Sequence, residues 1–480
     1  MMQPPPTAAE LPWTTDDAAG QRASPRLRLL CLILLVGGGA WFGSAGYRMI
    51  RAGAPDFEYF YKSGRYLLTR GALDPGYDIV GGQVVERGTL EWYWPFVPRV
   101  MTLFALLPQS KAGYVWLGLN LLAMFATWRL IGRHMADRPR GDWPVSSVLP
   151  VLCLAAYWLW EFRLNQINNF TLLLMVGSFV CWQRGRPATA GLWLGLAVLL
   201  KLTPGLLVLW FALKRQFRVV AVAVLTVVLA GPVADLVALG PGLTGDAYRR
   251  WLHDAVLTGS QAGLVREQCE MDWRNQGLGA VLSRWLHPTN YNTHFDNDPR
   301  VDASYGQEAA RTLNVVSWPL ATVEHVVVAV VLVTLGALIW LARRSARTLT
   351  AVQLRSEWAL FLLAMLWLMP VMRRYHMIWA TPAAYLLLAE AYRLGWRERW
   401  SKLALACVGV LAVSPLTLLF RPLEAGGTVL AAVLVLALPL LLLRCRRTRA
   451  PATGEQPAGG PAPPEAAGSA APSRPAMHHV

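Results

Sequence analysis

Within Pro55-Asp-Phe-Glu-Tyr-Phe-Tyr-Lys62, two carboxylates, four aromatic rings and a cation directly follow the first long apolar run. A carboxylate at the water–lipid boundary can reach a substrate hydroxyl while the substrate's lipid tail stays in the bilayer, which is what a general base in group transfer to a lipid-linked molecule requires. Asp56 and Glu58 are two residues apart and point different ways on a helix, so they do not form an acid/base pair with each other. Asp56 is the candidate base, with Glu58 and Tyr61 as candidate substrate contacts. Asp56 equally suits the cap of an amphipathic helix beginning at Phe57.

Lys201 is the second candidate. It ends the apolar run Gly191-Leu-Trp-Leu-Gly-Leu-Ala-Val-Leu-Leu200, where a charge costs about 2.5–3.5 kcal/mol at a helix centre, so it calls for an anionic partner such as a phosphate, or for snorkelling to headgroups. The segment Glu161-Phe-Arg-Leu-Asn-Gln-Ile-Asn-Asn169 falls between two apolar runs and offers Arg163, Asn165, Gln166 and Asn168 as donors, although amides also suit a tight turn. In Arg373-Arg374-Tyr375-His376 two arginines stand where the positive-inside trend disfavours them, which points to anion binding. Asp272-Trp-Arg-Asn-Gln-Gly277 combines Trp273 with the amides Asn275 and Gln276, a set suited to a sugar.

These residues are carried by a chain of 480 residues, 55% hydrophobic and 15% charged, whose apolar residues come in long blocks. That pattern gives an all-α polytopic membrane protein with about twelve transmembrane helices. Spans are expected near 28–50, 112–132, 146–163, 166–183, 188–201, 204–213, 217–239, 318–342, 356–371, 376–392, 400–420 and 424–444. The run Trp94–Leu107 lies between Pro95 and Pro108 and is short, so an interfacial or re-entrant helix is expected there. The first apolar run has no small-residue cleavage site after it and reads as a retained span.

The net charge of +16 is dispersed over short turns such as Arg129/Arg133, Lys214/Arg215/Arg218 and Arg343/Arg344/Arg347. Such turns are expected on the cytoplasmic side, and the dispersal argues against nucleic acid as a partner. Segments 51–111 and 240–316 then face outward. Residues 1–25 and 448–480, rich in Pro, Ala and polar residues, are expected to be disordered cytoplasmic tails on either side of the 26–447 membrane domain. The protein is expected in the cytoplasmic (inner) membrane with its active site outside the cytoplasm.

Four of the six cysteines, Cys31, Cys153, Cys181 and Cys407, lie in apolar runs, Cys269 stands alone, and no metal pair or disulfide framework can be read. Walker, HExxH and GxSxG motifs are missing, and Asp296-Asn-Asp298 is an unconvincing metal spacing. No cofactor is expected, and a metal requirement is left open.

Asp56-Phe-Glu-Tyr-Phe-Tyr61 with Gly71, Tyr93-Trp-Pro-Phe96, Asn165-Gln-Ile-Asn168, Gly191 to Pro204, Asn275-Gln276 and Tyr375-His376 together resemble glycosyltransferase family 87 in the family's order over 56–392. Members are membrane enzymes of the GT-C fold that use polyprenyl-phosphate sugars and include actinobacterial mannosyltransferases. The resemblance implies Asp56 as the base acting on an acceptor hydroxyl, with direct displacement and inversion. It also implies His376 near the donor phosphate, and Lys201 and Asn165–Asn168 near the cavity. The chain departs from the family in having Asn165 where Gly is common, and Met369-Pro-Val-Met-Arg-Arg374 where Ser-Pro-x-Ser-Trp is common.

The expected partners are therefore the lipid bilayer, a polyprenyl-phosphate sugar donor, itself a substrate, and a glycolipid or cell-envelope glycan acceptor. A transporter or flippase of lipid-linked saccharides remains the alternative, since a broken helix bearing a lysine could bind a translocating anion. A non-catalytic scaffold would leave Asp56 freely replaceable.

Overall fold

Long apolar runs dictate long helices because a backbone in hydrocarbon must satisfy its own hydrogen bonds. The computed structural model describes residues 23–53, 55–71, 77–80, 83–86, 93–135, 142–252, 272–292 and 311–445. The expectations for tail residues 1–22 and 448–480, for Cys269 and for the Asp296/Asp298 spacing lie outside the described residues.

Helix α1 (Pro25–Arg51) starts where the Ser24 hydroxyl accepts the Leu27 N–H at 3.2 Å, with proline at the first helical position. Gly53, at φ 83°, turns the chain into α2 (Pro55–Arg70). A short antiparallel hairpin, β1 (Tyr77–Val80) with β2 (Gln83–Glu86), is the one departure from all-α structure among the described residues. Then come α3 (Phe96–Ala105), α4 (Gln109–His134), and α5 (Trp143–Cys153) bent by 78° against α6 (Ala155–Leu164).

The chain continues through α7 (Asn168–Gln183), α8 (Pro187–Leu200), α9 (Gly205–Leu213), α10 (Phe217–Val228) and α11 (Ala234–Trp251). The last two join through a π turn containing Pro232. After α12 (Leu278–Leu286) and α13 (Leu320–Ala342), the Thr350/Gln353 capping box opens α14 (Ala351–Leu368). A 3₁₀ segment, Arg374–Ala380, leads into α15 (Thr381–Leu394), α16 (Arg399–Val413), α17 (Arg421–Ala425) and α18 (Thr428–Cys445).

The chain is a multi-pass membrane protein. Among the described residues seven helices are long and apolar enough to cross a bilayer, or eight if bent α5–α6 is one span. The expected twelve also counted α7, α8, α9 and α15, whose lengths are 16, 14, 9 and 14 residues. At about 1.5 Å per residue each falls short of a core about 30 Å thick. The ten-residue α3, in the stretch Trp94–Leu107 where an interfacial or re-entrant helix is expected, is shorter than a span.

Tryptophans hold the main core. Trp358 stacks on Phe179 at 4.5 Å between ring centroids, and Trp182 meets Trp210 edge-on at 5.4 Å. Gly191 and Gly195 let α8 close on α10, since a Cβ at either would come within 2.5 Å of Val219 O or Thr226 Cβ. Helix α2 lies on α3 through Gly64, pressed against Met101, and through two anchors: Tyr61 Oη donates to Leu107 O at 2.8 Å and Arg65 Nη1 to Ala105 O at 3.0 Å. These contacts hold the middle of α2 on α3, with Asp56 at the N-terminal end of the same helix.

Candidate functional site

The centre of the site comes from a helix that stops early. Pro204 disfavours helical geometry in the residue before it and cannot donate a backbone hydrogen bond. Helix α8 ends at Leu200, and Lys201 takes an extended conformation (φ −149°, ψ 141°) before α9 begins. The break presents the Lys201 side-chain nitrogen between the rings of Tyr93 and Trp379, each 5.8 Å from Nζ, with Nζ 2.8 Å from His376 Nε2. His376 is held from its other side, where Nδ1 accepts the Arg373 backbone N–H at 2.9 Å. In the neutral ring the hydrogen must then sit on Nε2. With the hydrogen on Nε2, the 2.8 Å contact is a bond from the imidazole to the Lys201 amine, whose other N–H groups are left to face the break, where an oxyanion would accept them.

A carboxylate arm reaches the same place. Asp56 and Glu161 both lie within Coulombic reach of Lys201. Gln166 Nε2 donates to Asp56 Oδ2 and so orients it. Gln166 is placed by the reversal at Asn165, which takes left-handed geometry (φ 51°, ψ 47°) at the end of α6. Glu161, buried, ties the start of α7 by accepting Asn168 Nδ2 and the Asn169 N–H, both at 2.9 Å. Trp379 Nε1 closes the ring of contacts by donating to Asn168 O at 3.2 Å. Burial, and then the charges of Asp56 and Glu161, raise the pKa of the Tyr93 phenol, so it stays protonated beside Lys201.

A second polar centre adjoins the first through Arg373. Its side chain binds Asp272 Oδ1 at 2.7 Å, and the Asp272 carboxylate also accepts the N–H groups of Arg274 and Asn275 at 2.9 and 3.0 Å. Burial opposes ionisation of Asp272, but Arg373, Arg274 and these donors outweigh it and hold its pKa below the ordinary 3.8. Arg374 pairs with Glu424. Beneath them Arg284, wholly buried, donates to the carbonyls of Ala425, Asp272 and Asn275 at 2.6, 2.8 and 2.8 Å. Burial pushes its pKa down to about 10.

Residues 92–302 match the family model of glycosyltransferase family 87. The matched stretch contains Gln166, Lys201, Asn275 and Gln276 but neither Asp56 nor His376. A polyprenol-phosphate-mannose-dependent α-(1-2)-phosphatidylinositol mannoside mannosyltransferase of Mycobacterium tuberculosis is 28% identical over 271 residues, 50% of this chain and 57% of that protein. A protein of the same name from Mycolicibacterium smegmatis is 26% identical over 264 residues, 54% of this chain and 50% of that protein. The chain thus spans only a little over half of one curated relative and half of the other. No solved structure matches it.

Of the residues the family 87 resemblance singled out, the structure gathers Asp56, Gln166, Lys201 and His376, with Asn168 in their support. Others serve elsewhere. Asn165 makes the turn, its Oδ1 lying toward Gly46 of α1. Glu58 pairs with Lys62 at 2.7 Å, and Tyr61 is buried under α2. Arg163 is exposed against the Trp160 ring at 4.9 Å. Asn275 and Gln276 spend their amides on backbone: Asn275 Oδ1 accepts the Gly277 and Met372 N–H groups, and Gln276 Nε2 donates to Trp273 O and Glu424 O at 2.9 Å. Sequence reasoning missed Glu161, Trp379 and Arg284 as individual residues. Glu161 alone left a signal, as a carboxylate inside an apolar run. Among the described residues no group of three His, Cys, Asp or Glu side chains could hold a metal ion.

Proposed function

We propose that this chain is an integral-membrane glycosyltransferase of GT-C architecture that moves a hexose, mannose by the relatives' names, from a polyprenyl-phosphate donor to a glycolipid or cell-envelope acceptor. The observation that carries this reading is the hydrogen-bonded pair Lys201 Nζ and His376 Nε2, 2.8 Å apart at the helix break, within reach of a carboxylate on a separate helix. A sugar 1-phosphate bound there puts its phosphate against the Lys201–His376 pair and its anomeric carbon toward Asp56. Asp56 takes the proton of the acceptor hydroxyl as that oxygen attacks the anomeric carbon. The bond from this carbon to the phosphate oxygen breaks, polyprenyl phosphate leaves with the electron pair, and the anomeric centre inverts.

In this reading α2 and α3 lie at the outer membrane interface, the active site is extracytoplasmic in the inner membrane, and both termini are cytoplasmic. The basic turns between spans support that orientation. Arg373 acts on the donor site by fixing the imidazole through its backbone.

The test is transfer from radiolabelled polyprenyl-phosphate sugars to envelope glycolipid by the purified protein in lipid, compared with Asp56→Asn. We expect wild-type transfer with an inverted anomer, and a fall of about 10²- to 10⁴-fold in the variant at unchanged melting temperature. An equally active variant would remove Asp56 from the chemistry. Donor bound but never consumed would favour transport of a lipid-linked saccharide, the role a broken α8–α9 could also serve.

A further inference from the structure

The hydrogen bond from Gln166 to Asp56 joins residues 110 positions apart in the chain, one on α2 and the other in the turn after α6. No short stretch of chain sets the spacing of those two elements, and one face of α4 does so instead. A Cβ at Gly113 would stand 3.4 Å from the Phe57 ring, so glycine there lets the residue after Asp56 lie against the helix. Three positions on, the Trp116 indole packs on Phe57 and Phe60 of α2 at 6.0 and 6.4 Å between ring centroids, and on Phe170 of α7 at 4.7 Å. Its Nε1 donates to Asn165 O at 2.9 Å. Asn120, four residues later, donates from Nδ2 to the next carbonyl, Gln166 O, at 3.2 Å. Residues spaced by three and four share a helix face, so a single stripe of α4 meets both partners of the Asp56–Gln166 bond.

A second observation separates this stripe from plain packing. Asn120 is 1% exposed in a helix long and apolar enough to cross a bilayer, where a buried amide must find its bonds inside the protein. Among the described residues its bonds all end on the same stretch: besides the contact with Gln166 O, Asn120 O and Oδ1 accept Asn169 Nδ2 at 2.6 and 3.2 Å. The left-handed turn at Asn165 leaves the Asn165 and Gln166 carbonyls between α6 and α7, outside either helix. A phenylalanine at 116 and a leucine at 120 would fill the space and leave both carbonyls without these donors.

We propose that Trp116 and Asn120 are positioning residues for Asp56, α4 acting as the gauge that keeps α2 and the 165–166 turn at the spacing where Gln166 holds the carboxylate. This assignment rests on the glycosyl-transfer reading, in which neither residue touches substrate. Position matters here because a misplacement of about 1 Å lowers a rate by about 10²-fold.

The experiment is a double-mutant cycle on the full-length protein in lipid with two readouts. One is sugar transfer from radiolabelled polyprenyl-phosphate sugar, and the other is carbodiimide labelling of Asp56 measured by peptide mass spectrometry. Trp116→Phe keeps a ring on Phe57 and loses the N–H to Asn165 O, whereas Asn120→Ala loses the N–H to Gln166 O. We expect each to lower kcat about 5- to 10-fold with donor KM within about twofold of wild type. In a Gln166→Ala background neither should lower kcat further, because effects carried by one shared contact do not multiply. The half-buried Asp56 carboxylate reacts faster once the Gln166 bond is weakened, so each variant should speed its labelling about 2- to 5-fold, and Gln166→Ala at least as much.

Effects that multiply in the Gln166→Ala background would overturn the proposal. So would a raised donor KM at unchanged kcat, which would make the two residues part of the donor pocket. Equal labelling of Asp56 in wild type and both variants would leave them as packing alone. The variants break bonds to successive carbonyls, so either one that folds decides the matter. A protein that transfers no sugar fails the glycosyl-transfer reading, and the labelling rates still show whether α4 positions Asp56.

Discussion

Helix α9 has a lysine at each end, and the two are used in opposite ways. Lys214, after the C-terminus, spends all three of its donors inside the protein. It binds the carbonyls of Ala342 and Arg344, both at 2.9 Å, and the Glu357 carboxylate. Glu357 also takes Arg444, whose Nη2 reaches Leu341 O at 3.1 Å. Two cations thus close the C-terminus of α13, where carbonyls lack helical partners and the dipole favours positive charge. Lys201, at the other end, meets an imidazole nitrogen and two aromatic faces. Lys214 thus has every bond made within the fold, whereas Lys201 has one hydrogen bond, to His376, two aromatic faces and the more distant charges of Asp56 and Glu161.

The largest effect should come from breaking the closed end. Glu357→Ala leaves Lys214 and Arg444 buried without their counter-charge and should cost about 3–5 kcal/mol, read as a lowered unfolding midpoint in detergent. Sugar transfer per folded molecule should stay near wild type. The open end should respond in reverse. Lys201→Gln should keep the unfolding midpoint and lower donor use by about 10- to 100-fold, as expected for loss of a charge-assisted bond to phosphate. Should Lys201→Gln melt the protein as Glu357→Ala does, the two ends would be alike and the anion-binding role of Lys201 would fall.

The open end was largely legible in the sequence and the closed end was not. Lys201 and His376 stand out because a polar group in an apolar run must have a reason to be there. Lys214, Arg344 and Arg444 sit among basic turn residues, where topology already explains a positive charge, so nothing in the sequence separates a clamp from a topology signal. Asn275 and Gln276 are expected from the sequence to meet a sugar, and in the structure their amides meet backbone, since an amide that could bind a sugar binds a backbone group equally well. Arg284 left no trace, because its three carbonyl partners come together only when the 272–277 turn and α17 meet. The expected span count goes beyond the seven or eight helices that length and composition alone qualify, because apolar composition marks α7, α8, α9 and α15 although they are only 16, 14, 9 and 14 residues long.

A smaller effect sharpens the account of the open end. Glu161→Gln keeps the shape of the side chain and removes the charge that holds Asn168 and Asn169. Because Gln166 orients Asp56 from the turn between Glu161 and Asn168, kcat should fall about tenfold through misplacement of the base, with donor KM little changed. Glu161 is a positioning residue in this reading. A variant with normal kcat per folded molecule and a lowered unfolding midpoint would show it to be structural only.

The smallest expected effect concerns pH and the Asp272 centre. The folded protein holds the Asp272 pKa below 3.8, since Arg373 and Arg274 outweigh the burial that would raise it. A carboxyl whose pKa is depressed by folding stabilises the fold at every pH above its unfolded value, and that contribution fades as the pH falls through the folded value. Nothing should therefore change from pH 8 to pH 5, and the loss should begin below about pH 4. Its local signature is faster hydrogen exchange at the Arg274 and Asn275 amides, both of which donate to Asp272 Oδ1. Asp272→Asn should show that faster exchange already at pH 7 and lose the acid dependence. Exchange at these two amides that is indifferent to both acid and the substitution would mean that Arg284 and the backbone hold the 272–277 turn by themselves. Asp272 would then serve only as the counter-charge of Arg373 and Arg274.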